Sequence, residues 1–170
     1  QFRLIPNPGG FTSGPVANRP IEIQNNVIGC GPAAQGVKHC ELDGNNEIYV
    51  DLTTSISNSY SLEMFYSPRP DYDAATNTIT VYWNGSLVKT LATSGLNNST
   101  TVWENHQIDL PTPTGTTTRL KFVAASVGVG AGGFIDDIKV IETKLSSTYL
   151  RSSGESIFRP DGSSIYRQPA

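Results

Sequence analysis

Cys30 and Cys40 are the only cysteines of this 170-residue chain, and His39 stands directly beside the second in CGPAAQGVKHC. Two thiols at this separation can close a disulfide loop worth ~3 kcal/mol by chain entropy. The bridge is the expectation; free thiols and a metal site shared with His39 are the alternatives. Zinc sites, however, usually use tighter C-x₂-C spacing. A second group is acidic: Glu41, Asp43, Asp136 and Asp137 fall near the ends of β-prone runs. In FIDDIKV, strand alternation puts Phe134, Asp136, Ile138 and Val140 on one face, so the Asp136 carboxylate would share apolar surroundings and need a partner. Hard oxygen donors of this kind suit Ca²⁺. Otherwise Asp136 accepts backbone N–H bonds or pairs with an arginine.

Trp83, Trp103, Tyr66, Tyr72 and Tyr82 are the aromatic rings that could stack on the C–H faces of a sugar. Tyr82 and Trp83 are adjacent in one β-prone run and so point to opposite faces, which makes at least one of them core. The loop SPRPDYDAAT at 67–76 is the expected binding rim, with Arg69 and Asp71 bonding hydroxyls and Tyr72 and Trp83 supplying rings. For catalysis there is little: His39 and His106 are the only imidazoles, and no Ser-His-Asp or paired-carboxylate motif surrounds them. The glycine-rich stretch at 128–133 precedes a strand rather than a helix, so it lacks the N-terminal dipole that cradles phosphate. A non-enzymatic protein is expected. Asn84, Asn97 and Asn98 each begin an N-x-Ser/Thr triplet and are candidate glycosylation sites.

The elements that must position these groups are strands. Alternating apolar residues mark Ile21–Val27, Val37–Asp43, Glu47–Thr53, Tyr60–Ser67, Asn77–Trp83, Ser86–Leu91, Val102–Leu110, Thr117–Ala125 and Phe134–Glu142. Asn84-Gly85 between two of them is a hairpin turn signal, and Pro68, Pro70, Pro111 and Pro113 fall between strands, where a missing N–H does no harm. Sixteen glycines, eleven prolines and no convincing helical window agree with an all-β chain. At this spacing the strands predict a two-sheet antiparallel jelly-roll sandwich, long enough to bury roughly 70% of its unfolded surface.

A net charge of −3 provides no basic face for nucleic acid. No apolar run reaches the ~20 residues of a membrane helix. The chain starts at Gln1 without a signal-peptide pattern, as a mature or trimmed chain would. Low charge, the glycosylation triplets and the expected disulfide point to the cell surface or beyond.

Residues 147–170 are one unit written three times: STYLRSSG, ESIFRPDG, SSIYRQPA. Each octad sets an apolar pair before an arginine: Tyr149, Leu150 and Arg151, then Ile157, Phe158 and Arg159, then Ile165, Tyr166 and Arg167. Pro160-Asp161-Gly162 is a turn signal, so the tail reads as an extended, strand-forming ribbon too narrow to stand alone. The expected organisation is an N-terminal arm at 1–20, a sandwich at 21–146 and the repeat tail at 147–170.

Five segments carry a resemblance: IEIQNNV, HCELDGNNEIYVDL, YSLEMFYSPRPDYDAATNTITVYWNGSLVKTL, LKFVAAS and GGFIDDIKV. Together, over Ile21 to Ile141, they resemble a bacterial secreted domain of the galactose-binding-like jelly-roll class, related to carbohydrate-binding modules and found in large surface proteins and adhesins. The resemblance implies a structural calcium near Asp136. Two features depart from it: QFRLIPNPGGFTSG lacks the class's Asn-Gly-x-Phe-Glu opening, and the octad tail lies outside it. Two functions follow as expectations. The first is a structural protomer that joins copies of itself into a filament or surface array by donating terminal strands, chiefly the tail and secondarily QFRLIPNPGG. The second is a calcium-assisted carbohydrate-binding module of an adhesin or phage appendage, with glycans as partners.

Overall fold

The computed structural model describes residues 3–5, 10–14, 21–25, 30–125 and 130–144. The octad tail, with its nine candidate assembly residues, lies outside them, as does most of the N-terminal arm. The chain folds as a two-sheet antiparallel jelly-roll sandwich, as its alternation predicts. One sheet has the order β1 (Arg3–Ile5), β3 (Ile21–Gln24), β4 (His39–Asp43), β11 (Gly132–Lys144), β6 (Asn58–Ser67), β9 (Glu104–Leu110). The other has the order β2 (Thr12–Ser13), β5 (Glu47–Thr53), β10 (Thr117–Ala124), β7 (Ile79–Trp83), β8 (Ser86–Leu91). We call them the six-stranded and five-stranded sheets. Parts of the expected arm thus pair within their own chain, Arg3–Ile5 against β3 and Thr12–Ser13 against β5.

Period-2 alternation builds the core. Tyr60, Leu62, Met64 and Tyr66 on β6 face Ile79, Val81 and Trp83 on β7 and Leu120, Phe122 and Ala124 on β10, all buried in one cluster. The buried polar tips within it are satisfied, as burial demands. Trp83 Nε1 donates to Pro111 O at 2.8 Å, and the Tyr66 hydroxyl donates to Asn77 O at 3.0 Å. Asn84 and Gly85 both take positive φ (49° and 81°) in the turn that joins β7 to β8, which is what the Asn-Gly signal predicts. Ahead of β7 the chain makes one helical turn, α1 (Ala74–Asn77), capped by Asp73 accepting from Thr76 N at 2.8 Å. That cap is why β7 begins two residues later than its apolar pattern suggests.

Two ladders shift register among the described residues: β7–β8 between Val81 and Tyr82, and a second that bears on the site. The β6–β11 ladder shifts register between Asp136 and Lys139, and Asp137 sits at φ 46°. This β-bulge resets the faces. Ile135, Ile138 and Val140 belong to the core between the sheets, while Phe134 and Asp136 pair with Ser67 and Phe65 on the opposite face. The expected common face of Phe134, Asp136, Ile138 and Val140 is therefore corrected.

Candidate functional site

The outer face of the six-stranded sheet carries a second buried cluster, beneath a strap formed by residues 30–36. Pro32 O accepts from Thr101 Oγ1 at 2.8 Å and from Trp103 Nε1 at 2.9 Å, and Gln35 N donates to Asp136 Oδ2 at 2.9 Å. Underneath, His39 packs against Phe134 and Trp103 with centroids 4.7 and 5.5 Å away. Neither of its ring nitrogens has a partner, and burial lowers its pKa. An imidazole so placed packs as a ring among rings.

Glu41, 1% exposed, is the centre of this cluster. It forms an ion pair with the Arg69 guanidinium, accepts from Gly132 N at 3.0 Å, and accepts from the Gln24 amide. Burial pushes its carboxyl up to about 7, against the pull of Arg69. Arg69 also donates to Gly130 O at 3.0 Å and lies 5.2 Å from the Tyr72 ring centroid. The expected rim is thus anchored from below. Asn77, fully buried, braces it through Arg69 N (2.8 Å), Arg69 O (3.3 Å) and Tyr72 O (3.1 Å).

This geometry corrects several expectations. Cys30 and Cys40 are free thiols. Cys40 is on β4, turned toward the core between the sheets, whereas Cys30 lies on the strap side, in the electrostatic reach of Arg69 and Glu41. The sheet separates them. The expected calcium ligands do not converge either: among the described residues no three His, Cys, Asp or Glu side chains are placed to share a metal. Glu41 is engaged by Arg69, Asp43 accepts from Gly130 N at 2.6 Å, Asp136 accepts from Gln35 N and Asp137 N, and Asp137 pairs with Lys139. Trp83, 1% exposed, is core and cannot face a ligand. Arg69 is committed to Glu41, while Asp71 and Tyr72 remain exposed at the rim. Asn84 and Asn97 are exposed and Asn98 is half-buried.

The partner of Trp83 in the alternation, Tyr82, points out of the five-stranded sheet into a trough of about 420 Å³. Ser13, Gly14, Glu47, Tyr49, Tyr82, Gly85, Arg119 and Lys121 line it. Register explains the grouping: Lys121 on β10 stands opposite Tyr49 on β5 and Tyr82 on β7, giving a Tyr–Lys–Tyr row across three strands. The Lys121 ammonium is 5.3 Å from the Tyr82 centroid and 3.0 Å from Glu47 Oε2. One step along, Arg119 stacks over Tyr49 at 3.8 Å and grips Asp51 through two bonds of 2.7 Å. That grip holds the Asp51 carboxyl below its ordinary value. Of this set the sequence reading singled out only Tyr82. Glu47, Tyr49, Asp51, Arg119 and Lys121 occupy the polar phase of EIYVDLT and TTRLKFVA, which was the available signal.

Compared by sequence, the chain matches no family model and no curated protein. Compared by structure, it is similar to the K2 cleaved adhesin domain of Lys-gingipain, with a TM-score of 0.61 and 14% identity over 80% of this chain and 90% of that one. It is similar to TmCBM61, whose structure is in complex with β-1,4-galactotriose, with a TM-score of 0.52 and 13% identity over 79% and 90% of the two chains. A cyclase from Fischerella sp. TAU is similar at a TM-score of 0.59 and 9% identity, over 86% and 90%. The chain therefore has the jelly-roll fold shared by adhesin domains and carbohydrate-binding modules.

Proposed function

We propose that this domain is a non-catalytic, adhesin-like carbohydrate-recognition domain working outside the cell, and that the trough on its five-stranded sheet is the recognition surface. The observation that carries the reading is the Tyr–Lys–Tyr row flanked by Arg119 and Glu47, which sets aromatic rings beside hydrogen-bonding groups in one open depression. Its volume of about 420 Å³ falls in the range of about 300–1,000 Å³ usual for small-ligand sites. Support for the class comes from the fold shared with an adhesin domain and with a module that holds a galactotriose.

Assembly by donated strands gains no support from these neighbours. The arm strands β1 and β2 already pair within their own chain. The test of the reading is a glycan array probed with the 170-residue chain. Bound glycans should be lost together with Tyr49→Ala; an array without any bound glycan refutes the reading.

A further inference from the structure

The trough is balanced in charge at contact distance. Arg119 is neutralised by Asp51 through two bonds of 2.7 Å and Lys121 by Glu47 at 3.0 Å, so two cations face two carboxylates. An acidic sugar brought here would have to displace a carboxylate from its cation and would gain little net attraction. A neutral sugar meets the opposite situation. Each of its hydroxyls both donates and accepts, and each Arg–Asp or Lys–Glu pair offers donor and acceptor side by side.

Direction follows from register. Tyr49 and Tyr82 lie in one row on β5 and β7, with β10 between them. Two strand spacings of about 4.8 Å put them roughly 10 Å apart, the reach of two linked pyranose rings. Leu87, 56% exposed and opposite Tyr82 on β8, extends the row with a further apolar surface. One end of the trough is low. Gly85 has no atom within 4 Å of where a Cβ would sit, whereas at the other end the Glu47 side chain fills the space over Gly14. A chain longer than a monosaccharide can therefore lie across the strands and leave past Gly85.

Resting on the carbohydrate reading, we infer that the ligand is a neutral oligosaccharide of at least two hexopyranoses, laid across β5, β10 and β7. Its C–H faces sit against Tyr82 and against the face of Tyr49 that the Arg119 guanidinium leaves open, and its hydroxyls bond to the Lys121–Glu47 pair and to Arg119, itself held by Asp51.

Titration calorimetry with neutral hexose tetrasaccharides, the corresponding monosaccharides, and uronic or sulfated oligosaccharides tests this. Expected are binding of a neutral tetrasaccharide, at least tenfold weaker binding of its monosaccharide, and an affinity that changes less than twofold between 50 and 500 mM salt, where screening weakens ionic recognition. Tyr49→Ala and Tyr82→Ala should each cost about tenfold or more in affinity, with Tyr49→Leu giving the same loss while keeping the strand's apolar cover. Tyr72→Ala, at the far rim, should bind as wild type. Salt-sensitive binding of acidic glycans, lost in Arg119→Ala, overturns the neutral class but leaves the trough as a carbohydrate site. Glycan binding lost in Tyr72→Ala and retained in Tyr49→Ala overturns the trough. Absence of binding to every glycan overturns the carbohydrate reading itself.

Discussion

Replacing Arg69 by alanine should destabilise the fold by an amount that depends strongly on pH. Glu41 is 1% exposed, and its carboxyl lies at about 7 rather than at 4.5. At pH 9 it is ionised, and losing Arg69 strands a buried carboxylate with only Gly132 N and the Gln24 amide as donors. Breaking a buried pair from one side costs about 3–5 kcal/mol. For a domain of this size that is a fall in Tm of roughly 6–20 °C. At pH 5 Glu41 is already protonated in the native protein, so the ion pair is absent from both proteins. The variant then loses the bond to Gly130 O, the bond to a Glu41 acceptor that is now uncharged, and the contact with Tyr72, about 1–2 kcal/mol.

The wild type has its own slope of the same origin. A carboxyl raised from 4.5 to about 7 contributes stability below 4.5 and loses it as pH rises through 7, roughly 3 kcal/mol in all. Glu41→Gln should flatten that slope. Thermal melts of the three proteins at pH 5, 7 and 9 measure every quantity here. A Tm deficit of Arg69→Ala that is equal at pH 5 and pH 9 would refute the reasoning.

Asn77→Ala removes three bonds that brace the rim and should cost about 2–4 kcal/mol by denaturant unfolding, without affecting glycan affinity. Gly132→Ala would drive a Cβ to 1.8 Å from Leu42 O at the start of β11, so the variant should be recovered mainly as insoluble or strongly destabilised protein on expression. Thiol titration of protein purified without reductant should count two thiols on unfolding; a chain two mass units short would contradict the separated cysteines.

The nine strands of the body were legible in the chain chiefly because strands such as β6, β7, β9 and β10 keep period-2 alternation against one core. The Asn84-Gly85 hairpin was legible because its positive φ values admit few residue types. The bulge at Asp136–Lys139 was not, since one extra residue in a 13-residue strand alters pairing without altering composition. The roles of Arg69 and Glu41 were also out of reach. They are 28 positions apart, and only the packing of the β6–β7 loop over β4 joins them. The trough was half legible: its residues could be read as the polar phase of β5 and β10, but their adjacency depends on a register that places Tyr49 and Tyr82 either side of Lys121.

The two cysteines on opposite sides of one sheet have a consequence for how the protein must be made. In the unfolded chain only nine residues separate them, and a loop that short closes within microseconds, so an oxidant would join them readily. Once joined, β4 could not present one thiol to the interior while the strap keeps the other outside. Oxidant met before folding therefore competes with the native state, whereas oxidant met afterwards finds the two thiols held apart, with Cys30 buried. Refolding yield should be higher with reductant than with a glutathione redox couple, and the gap should vanish in Cys30→Ser.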